Sequence, residues 1–465
     1  MRSNTFILIL TLVGAALFLI FKGIGNDYLF FAGYTVLQFI VLAVAWNILG
    51  GYCGYVNFGS AAFFAVGAYS TVALHKLGMN VERYFPEALV PVMKAILPLN
   101  IPVLIIIAGV IAGLIGLATG YLTLRLRGAF FAIATLALAV VLQTLIINWD
   151  YVGGARGAYI IRPQTVPIIG GYIQYLFLLM TILAVIALVV ARSIERSQLG
   201  YGFATIRDDE LAAEACGVPT LRLKLIATTI SGGLMGMAGA PFPYYIGYVE
   251  PGTAFGLGYA VNSIAMPMIG GTTMWAGPLI GALLLGIIQQ IATVTISSAV
   301  NLLIVGLLLI AFVIMAPAGI VGLVRDFLRA AAPSRLDTRA VAMVTLAGYC
   351  FVVGLGGVVF GLAASLQGRS AAIQGLGIFS LILSLAYLAC AYGLLKLESR
   401  SALLTTAVLA VSIPLSLIFI WLDPSQGNLI LLVFGIAVDA AAIWYLQQPD
   451  VKRLYQPVIE QRVTS

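Results

Sequence analysis

Side chains able to do chemistry are few in this chain. It offers one histidine, His75, and four cysteines, Cys53, Cys216, Cys350 and Cys390, among 465 residues. The cysteines lack metal-ligand spacing, and three lie in or beside apolar runs, where they read as small buried hydrophobes. His75 falls at an expected membrane edge and reads as an interfacial polar residue. No Gly-x-Ser-x-Gly elbow occurs, and no lysine follows a glycine, so a phosphate-binding Gly-Lys loop is absent. These residues supply no catalytic site and no metal site, and any ATP-driven work must be done on another chain. What remains is two sets of polar groups. Asn57, Ser60, Tyr69 and Thr135 interrupt otherwise apolar helices, where they either bond a neighbouring helix or face a pathway. The other set is the segment from Arg192 to Lys224, which holds ten of the chain's 41 charges. Its run Arg207-Asp208-Asp209-Glu210 offers charge for setting register against a partner. Thr205 to Cys216 reads as one short amphipathic helix, ended by Gly217 and Pro219. This segment reads as a cytoplasmic handle that another protein grips.

The elements that must position these residues are apolar helices. The chain is 62% hydrophobic and 9% charged, with a mean hydropathy of +1.09. Repeated apolar runs of about 20 residues fit an all-α polytopic membrane protein. Alternating ten-residue segments, the mark of a membrane barrel, are missing. Spans are expected near 5–22, 28–48, 52–74, 101–123, 129–148, 173–191, 224–246, 254–273, 277–295, 299–317, 340–364, 372–395, 401–422 and 427–446. That makes about 14 transmembrane helices. The stretch 254–273, with Pro267 and several glycines, is the least regular and is expected to be broken or re-entrant. Of the 24 basic residues, 17 then fall on the side of the termini and 7 opposite. By the positive-inside rule both termini and the Arg192–Lys224 segment of this multi-pass protein are expected in the cytoplasm. The first run reads as an uncleaved helix rather than a signal peptide, for no small-x-small cleavage site follows it. The net charge of +7 is spread over loops and follows topology, so no nucleic-acid partner is expected.

Residues 1–324 read as a core, 325–339 as a charged cytoplasmic linker with Pro333 and Ser334, 340–446 as a four-helix transmembrane appendage, and 447–465 as a polar cytoplasmic tail. Small-residue pairs at Gly109/Gly113, Gly116/Gly120, Gly232/Gly236, Gly277/Gly281 and Gly357/Gly361 predict close helix packing. Only one acid, Asp439, falls well inside an expected span, and it lies in the appendage. Proton- and sodium-coupled carriers generally place carboxylates at the coupling site, and the core has none.

Four blocks resemble a known family. They are Ala45 to Leu74 (AWNILGGYCGYVNFGSAAFFAVGAYSTVAL), Leu124 to Ala139 (LRLRGAFFAIATLALA) followed by Gly153-Gly154-x-x-Gly157, the block SQLGYGFATIRDDELAAEACGV followed by Lys224, and Met268 to Leu285 (MIGGTTMWAGPLIGALLL) closed by Ala316-Pro317-Ala318-Gly319-Ile320. Together they are similar to the permeases of branched-chain amino-acid ABC importers, to the second of the two permease subunits. The resemblance covers about 45–322 and implies a non-enzymatic, roughly ten-helix importer permease core with a C-terminal four-helix extension. It implies that the third block is the ATPase-coupling loop, whose general pattern Glu-Ala-Ala-x-x-x-Gly falls on Leu211, Ala212, Ala213 and Gly217, the acid being displaced to Glu210. Ala212 and Ala213 would then give a narrow helix face fitting a groove. The implied partners are a second related permease, two ATP-binding subunits that hold the ATP, an extracytoplasmic substrate-binding protein and membrane lipid. The chain itself would need no cofactor. The implied substrates are branched-chain or related hydrophobic amino acids, with urea or short amides as the alternative within the family. An ion-coupled secondary carrier is the alternative outside it.

Overall fold

The computed structural model describes residues 3–161, 165–166, 170–295, 306, 319–331, 338–367, 371–395, 401–422 and 426–448. The expected span at 299–317 (Gly306 apart), the Ala316–Ala318 end of the fourth block, Pro333 and Ser334, and the tail beyond 448 lie outside these residues. So do Arg2, Arg162, Arg335, Arg369, Lys396, Arg400, Lys452, Arg453 and Arg462.

Apolar sequence becomes helix almost throughout, because each backbone polar group in a lipid-facing run must bond within its own segment. In chain order the main helices are α1 Ser3–Ile24, α2 Asp27–Asn47, α3 Ser60–Met79, α4 Ile101–Thr123, α5 Ala129–Ile147, α6 Tyr172–Glu195, α7 Gln198–Asp208, α8 Glu210–Ala215, α9 Thr220–Gly239, α10 Leu257–Gly270, α11 Ala276–Thr295, α12 Gly319–Ala331, α13 Thr338–Gln367, α14 Ala371–Leu395, α15 Ser401–Leu422 and α16 Gln426–Gln447. Among the described residues seven helices are long and apolar enough to cross a bilayer: Asn4–Ile24, Asp27–Tyr52, Ile101–Thr123, Ala129–Ile147, Tyr172–Glu195, Thr220–Ile246 and Gly377–Leu395. The protein is an all-α polytopic membrane protein. The only sheets among the described residues are two-residue pairings, one of which joins Ala158–Tyr159 to Tyr248–Val249 with Ala158 opposite Val249.

The chain divides into two compact units, the first running to Ile287 and regaining the chain at Gly319, the second built from Ile288 onward. In the first unit α2 is central, with an unbroken buried run from Gln38 to Asn47. It continues as a π-helical turn, Ile48–Tyr52, and then stops being helical until Ser60. The expected span 52–74 is therefore corrected to α3, Ser60–Met79. Local bonds hold the break open: Tyr55 N–H donates to Leu49 O at 3.1 Å, Asn57 Oδ1 accepts from Gly59 N–H at 2.8 Å, and Trp46 Nε1 donates to Asn57 O at 2.8 Å. The irregular stretch expected at 254–273 is a short helix, α10, which contains Pro267 and ends at Gly271 with φ +115°.

Helix α9 packs closely against α4 and α3, with glycines at the contact. A Cβ on Gly67 of α3 would stand 2.0 Å from Gly236 O, and one on Gly236 would stand 2.2 Å from Ala112 Cβ. A Cβ on Gly109 meets Met237 Cγ at 2.5 Å. The small-residue pairs are thus contact points, as the spacing predicts. Gly113, Gly116, Gly120 and Gly232 are looser, with their nearest neighbours at 3.4 Å, 3.1 Å, 3.3 Å and 3.2 Å.

The second unit has its own core, with Met343, Ala347 and Cys350 of α13, Tyr387, Ala391 and Leu394 of α14, Leu409 of α15 and Ala442 and Leu446 of α16. Its helices α13 and α14 also meet at a glycine: a Cβ on Gly357 would lie 2.2 Å from Ser384 Oγ.

The backbone contact at Gly67 gives a measurable expectation. Gly67→Val should destabilise the purified protein by about 3 kcal/mol, at the upper end of overpacking costs. Gly258→Ala, which meets nothing within 4 Å, should leave the melting curve in place. Equal melting of the two variants would show that α3 and α9 can separate freely.

Candidate functional site

The Arg192–Lys224 segment folds as two short helices. Helix α7 ends at Asp208, where Asp209 turns extended with φ −159° and ψ 107°, and α8 starts at Glu210. The single helix expected over Thr205–Cys216 is corrected to this pair. The reason lies in Asp209, whose side chain accepts a hydrogen bond from Ala212 N–H at 3.0 Å and so caps a new helix instead of continuing the old one. The C-terminal end follows the sequence. Gly217 has φ +83°, its N–H donates to Glu214 O at 2.9 Å, and Val218 N–H reaches back to Ala213 O at 3.0 Å. This paired 6→1 and 5→2 bonding is the Schellman motif, which places its left-handed residue where glycine has no Cβ to strain.

Glu210 does not serve a solvated surface. Its carboxylate takes Lys224 Nζ at 2.6 Å and the hydroxyl of Tyr55, and Arg127 Nε stands 3.6 Å away. The Lys224 side chain is only 3% exposed. An ammonium has three N–H donors, and all are spent: on Glu210 Oε1, on Leu124 O at 3.1 Å and on Tyr55 Oη at 3.1 Å. Its Nζ also lies 4.7 Å from the centre of the Tyr55 ring. An isolated charge at that depth would be very costly, and one with a full set of partners is tolerated. A second, exposed layer sits over this clamp. Arg127 Nη2 grips both carboxylate oxygens of Glu214 at 3.1 Å and 2.9 Å, and Thr220 Oγ1 donates to Glu214 Oε1 at 2.8 Å. Those bonds, first Thr220's and then Arg127's, hold the Glu214 carboxyl below its usual range, and the contact with Glu214 raises the Arg127 guanidinium.

The remaining charges of the segment have distinct places. Arg207 pairs with its neighbour Asp208 at 3.1 Å, and its Cγ lies over Gly54. Asp208 points into solvent, with 71% of its side chain exposed. Glu195, at the end of α6 just before the third block, accepts Trp275 N–H of the fourth at 2.7 Å. Arg192 is buried and lies over the Phe6 ring at 3.9 Å. Ala212 is exposed whereas Ala213 is buried. The two alanines therefore do not share one outward face; adjacent helix positions lie about 100° apart, and α8 turns Ala213 towards the bundle. Its outward residues are Leu211, 64% exposed, together with Ala212, Ala215 and Cys216.

Of the four polar positions expected inside helices, Asn57 and Thr135 share one narrow cleft, partly open to solvent. Thr119 and Thr123 of α4 and Thr228 of α9 line it as well. Thr135 Oγ1 accepts Phe58 N–H at 3.2 Å, which ties α5 to the broken helix. Ser60 lies outside this lining, bonded to Ser263 Oγ at 2.8 Å. Tyr69 is buried, and its hydroxyl has no hydrogen-bond partner among the described residues. The clamp of Lys224, Tyr55, Arg127, Glu214 and Thr220 escaped sequence reasoning. Its one visible signal was a lysine at the very start of an apolar helix. His75, expected at an interface, is buried with Nδ1 3.1 Å from Tyr244 Oη.

Lys224→Met should cost about 3–5 kcal/mol, since it strands Glu210 in a largely enclosed site. Adding Glu210→Leu should recover part of that loss in thermal unfolding of the double variant. The outer layer should respond to pH. Because the Glu214 carboxyl is depressed in the folded state, its stabilisation is present above the ordinary carboxylate pKa and is lost as pH falls through its folded value. The melting difference between wild type and Glu214→Gln should therefore shrink on acidification; a difference that grows would contradict the arrangement.

A family described as branched-chain amino acid transport system / permease component matches residues 28–313. The high-affinity branched-chain amino acid transport system permease protein LivM of Escherichia coli K12 is 26% identical over 317 residues, covering 63% of this chain and 69% of that protein. LivM of Salmonella typhimurium LT2 is 25% identical over the same shares. The probable branched-chain amino acid transport permease protein LivH of Methanocaldococcus jannaschii is 24% identical over 279 residues, 57% of this chain and 82% of that protein. No solved structure matches the chain.

Proposed function

The chain belongs to the permease component family of branched-chain amino acid transport systems, a family of transport proteins and not of enzymes, and on that premise we propose that it is one permease subunit of an ATP-driven importer. One observation carries the reading. Lys224 and two of its three acceptors lie within one helical turn of a residue of the cleft. Tyr55 precedes Asn57, Leu124 follows Thr123, and Lys224 lies one turn before Thr228, whose Oγ1 donates to Lys224 O at 2.9 Å. A push on α8 therefore reaches Glu210, then Lys224, and then three walls of the cleft at once. This is the physical form that coupling takes here: a docking helix whose load is delivered through a charge pair to the elements lining the pathway.

In this proposal two ATP-binding subunits dock on the cytoplasmic loops of the complex, one of them pressing on α8 through Leu211, Ala212 and Ala215, with Arg207, Asp208 and Asp209 setting register at the rim. Asp209 also holds the helix start and Gly217 its end. Asn57 and Thr135 flank the route of the substrate, taken to be a branched-chain or related hydrophobic amino acid. A second related permease closes the pathway, an extracytoplasmic binding protein delivers the substrate, and membrane lipid covers the apolar surface. The layout proposed is a ten-helix core over 1–324, a linker over 325–339 and a four-helix appendage over 340–446. The proposal places fourteen crossings in the inner membrane with both termini in the cytoplasm.

The chain offers its own reporter. Cys216 is exposed at the end of α8, while Cys53, Cys350 and Cys390 are buried. A water-soluble maleimide should label Cys216 in the permease alone, and the rate should fall at least tenfold when the ATPase subunits are added. Ala212→Trp should abolish co-purification of the ATPase and uptake together, and Gly217→Val should weaken both by tilting the helix end. Undiminished labelling of Cys216 in an actively transporting complex would sink the assignment of α8 as the docking helix.

A further inference from the structure

The second unit contains a polar site that importer function does not use. Asp439 of α16 is 4% exposed, inside the four-helix body. A hydroxyl arrives from each of the other three helices: Tyr349 of α13 at 2.7 Å from Oδ1, Tyr387 of α14 at 3.3 Å from Oδ2, and Ser412 of α15 in contact with Oδ2. The other titratable neighbour whose charge reaches it is Cys350 of α13, itself beside Cys390 of α14. None of these groups is cationic, and no ion pair to Asp439 occurs among the described residues.

Counting protons at Ser412 decides the state of the site. Beside the Tyr387 hydroxyl, its Oγ lies against two acceptor oxygens, Asp439 Oδ2 and Leu409 O at 2.7 Å. A serine hydroxyl has one proton. If Asp439 is a carboxylate, that proton can serve only one of the two, and the other contact sets lone pair against lone pair. If Oδ2 carries a proton, the chain closes: Oδ2–H donates to Ser412 Oγ, Ser412 O–H donates to Leu409 O, and Tyr349 O–H donates to Oδ1. Asp439, Ser412 and Tyr349 are then satisfied and no net charge is buried, which suits an apolar surrounding. We propose that Asp439, Ser412 and Tyr349 form a proton-binding site in the four-helix unit, with the proton held on Oδ2 between α15 and α16. A metal cation is a poorer occupant. It would need several oxygens whose lone pairs face a common centre, whereas here the two tyrosine hydroxyls direct their protons at the carboxyl.

The test uses the full-length chain in lipid. Infrared difference spectra on hydrogen–deuterium exchange should contain a protonated-carboxyl C=O band that Asp439→Asn removes completely. The amide introduced by Asp439→Asn reproduces the acid's pattern, an N–H towards Ser412 and a C=O towards Tyr349, so this variant should melt with wild type. Asp439→Leu should melt well below it. A wild-type spectrum in which no such band depends on Asp439 would overturn the proposal. So would an Asp439→Asn variant as unstable as Asp439→Leu, or a melting temperature that rises with sodium concentration at constant ionic strength in wild type but not in Asp439→Leu.

Discussion

Burying one ammonium governs the arrangement of the first unit. Lys224 must find three acceptors in a place where water cannot supply them. It finds them on three separate pieces of chain: the break between α2 and α3, the end of α4, and the start of α8. Each acceptor constrains a different backbone. Tyr55 needs the helix to stop at Tyr52 and resume at Ser60. Leu124 O is free to accept because α4 has just ended. Glu210 needs a helix that starts where it does, and Asp209 provides that start. If any of the three shifted by a turn, the charge would lose a partner. Local features that look independent in the sequence are thus mutually required.

Much of this was legible beforehand. The apolar runs, the glycine at the end of the charged segment, the irregularity around Pro267 and the close packing at Gly109, Gly236 and Gly281 follow from rules that act over one or two turns. Asn57 and Thr135 were legible as polar groups in apolar surroundings, and they do share a cleft. Ser60 was equally legible and pairs instead with Ser263, because composition cannot say which face of α3 looks towards α10. The clamp was not legible, for its members are spread across the chain: Tyr55 and Lys224 are 169 positions apart. A charge count registers Glu210 and Lys224 as two solvated ions of a polar loop. Only the fold shows that they are one neutral, buried pair.

The two units use polar chemistry in opposite ways. In the first, full charges of both signs are buried together, which fixes geometry strongly and resists sliding. In the second, Tyr349, Tyr387 and Ser412 gather round one acid, and no opposite charge takes part. Ion pairing favours one arrangement of helices and makes alternatives expensive, while hydroxyls can exchange donor and acceptor roles at little cost. A unit that bears load suits the first kind of contact.

The long separation along the chain also orders the making of the protein. Synthesis delivers Tyr55, Leu124 and Arg127 to the membrane well before Glu210 and Lys224 leave the ribosome. Until then the gap between α2 and α3 has no charge to satisfy, and the end of α4 has no partner. The last arrivals bring both signs together, fourteen positions apart, so neither ion has to wait unpaired for a distant one. Closure of the clamp therefore comes only after six long helices have been made, and it can form only if they bring its members to one place. The same lysine that holds the finished bundle acts, during birth, as an inspection of everything inserted before it.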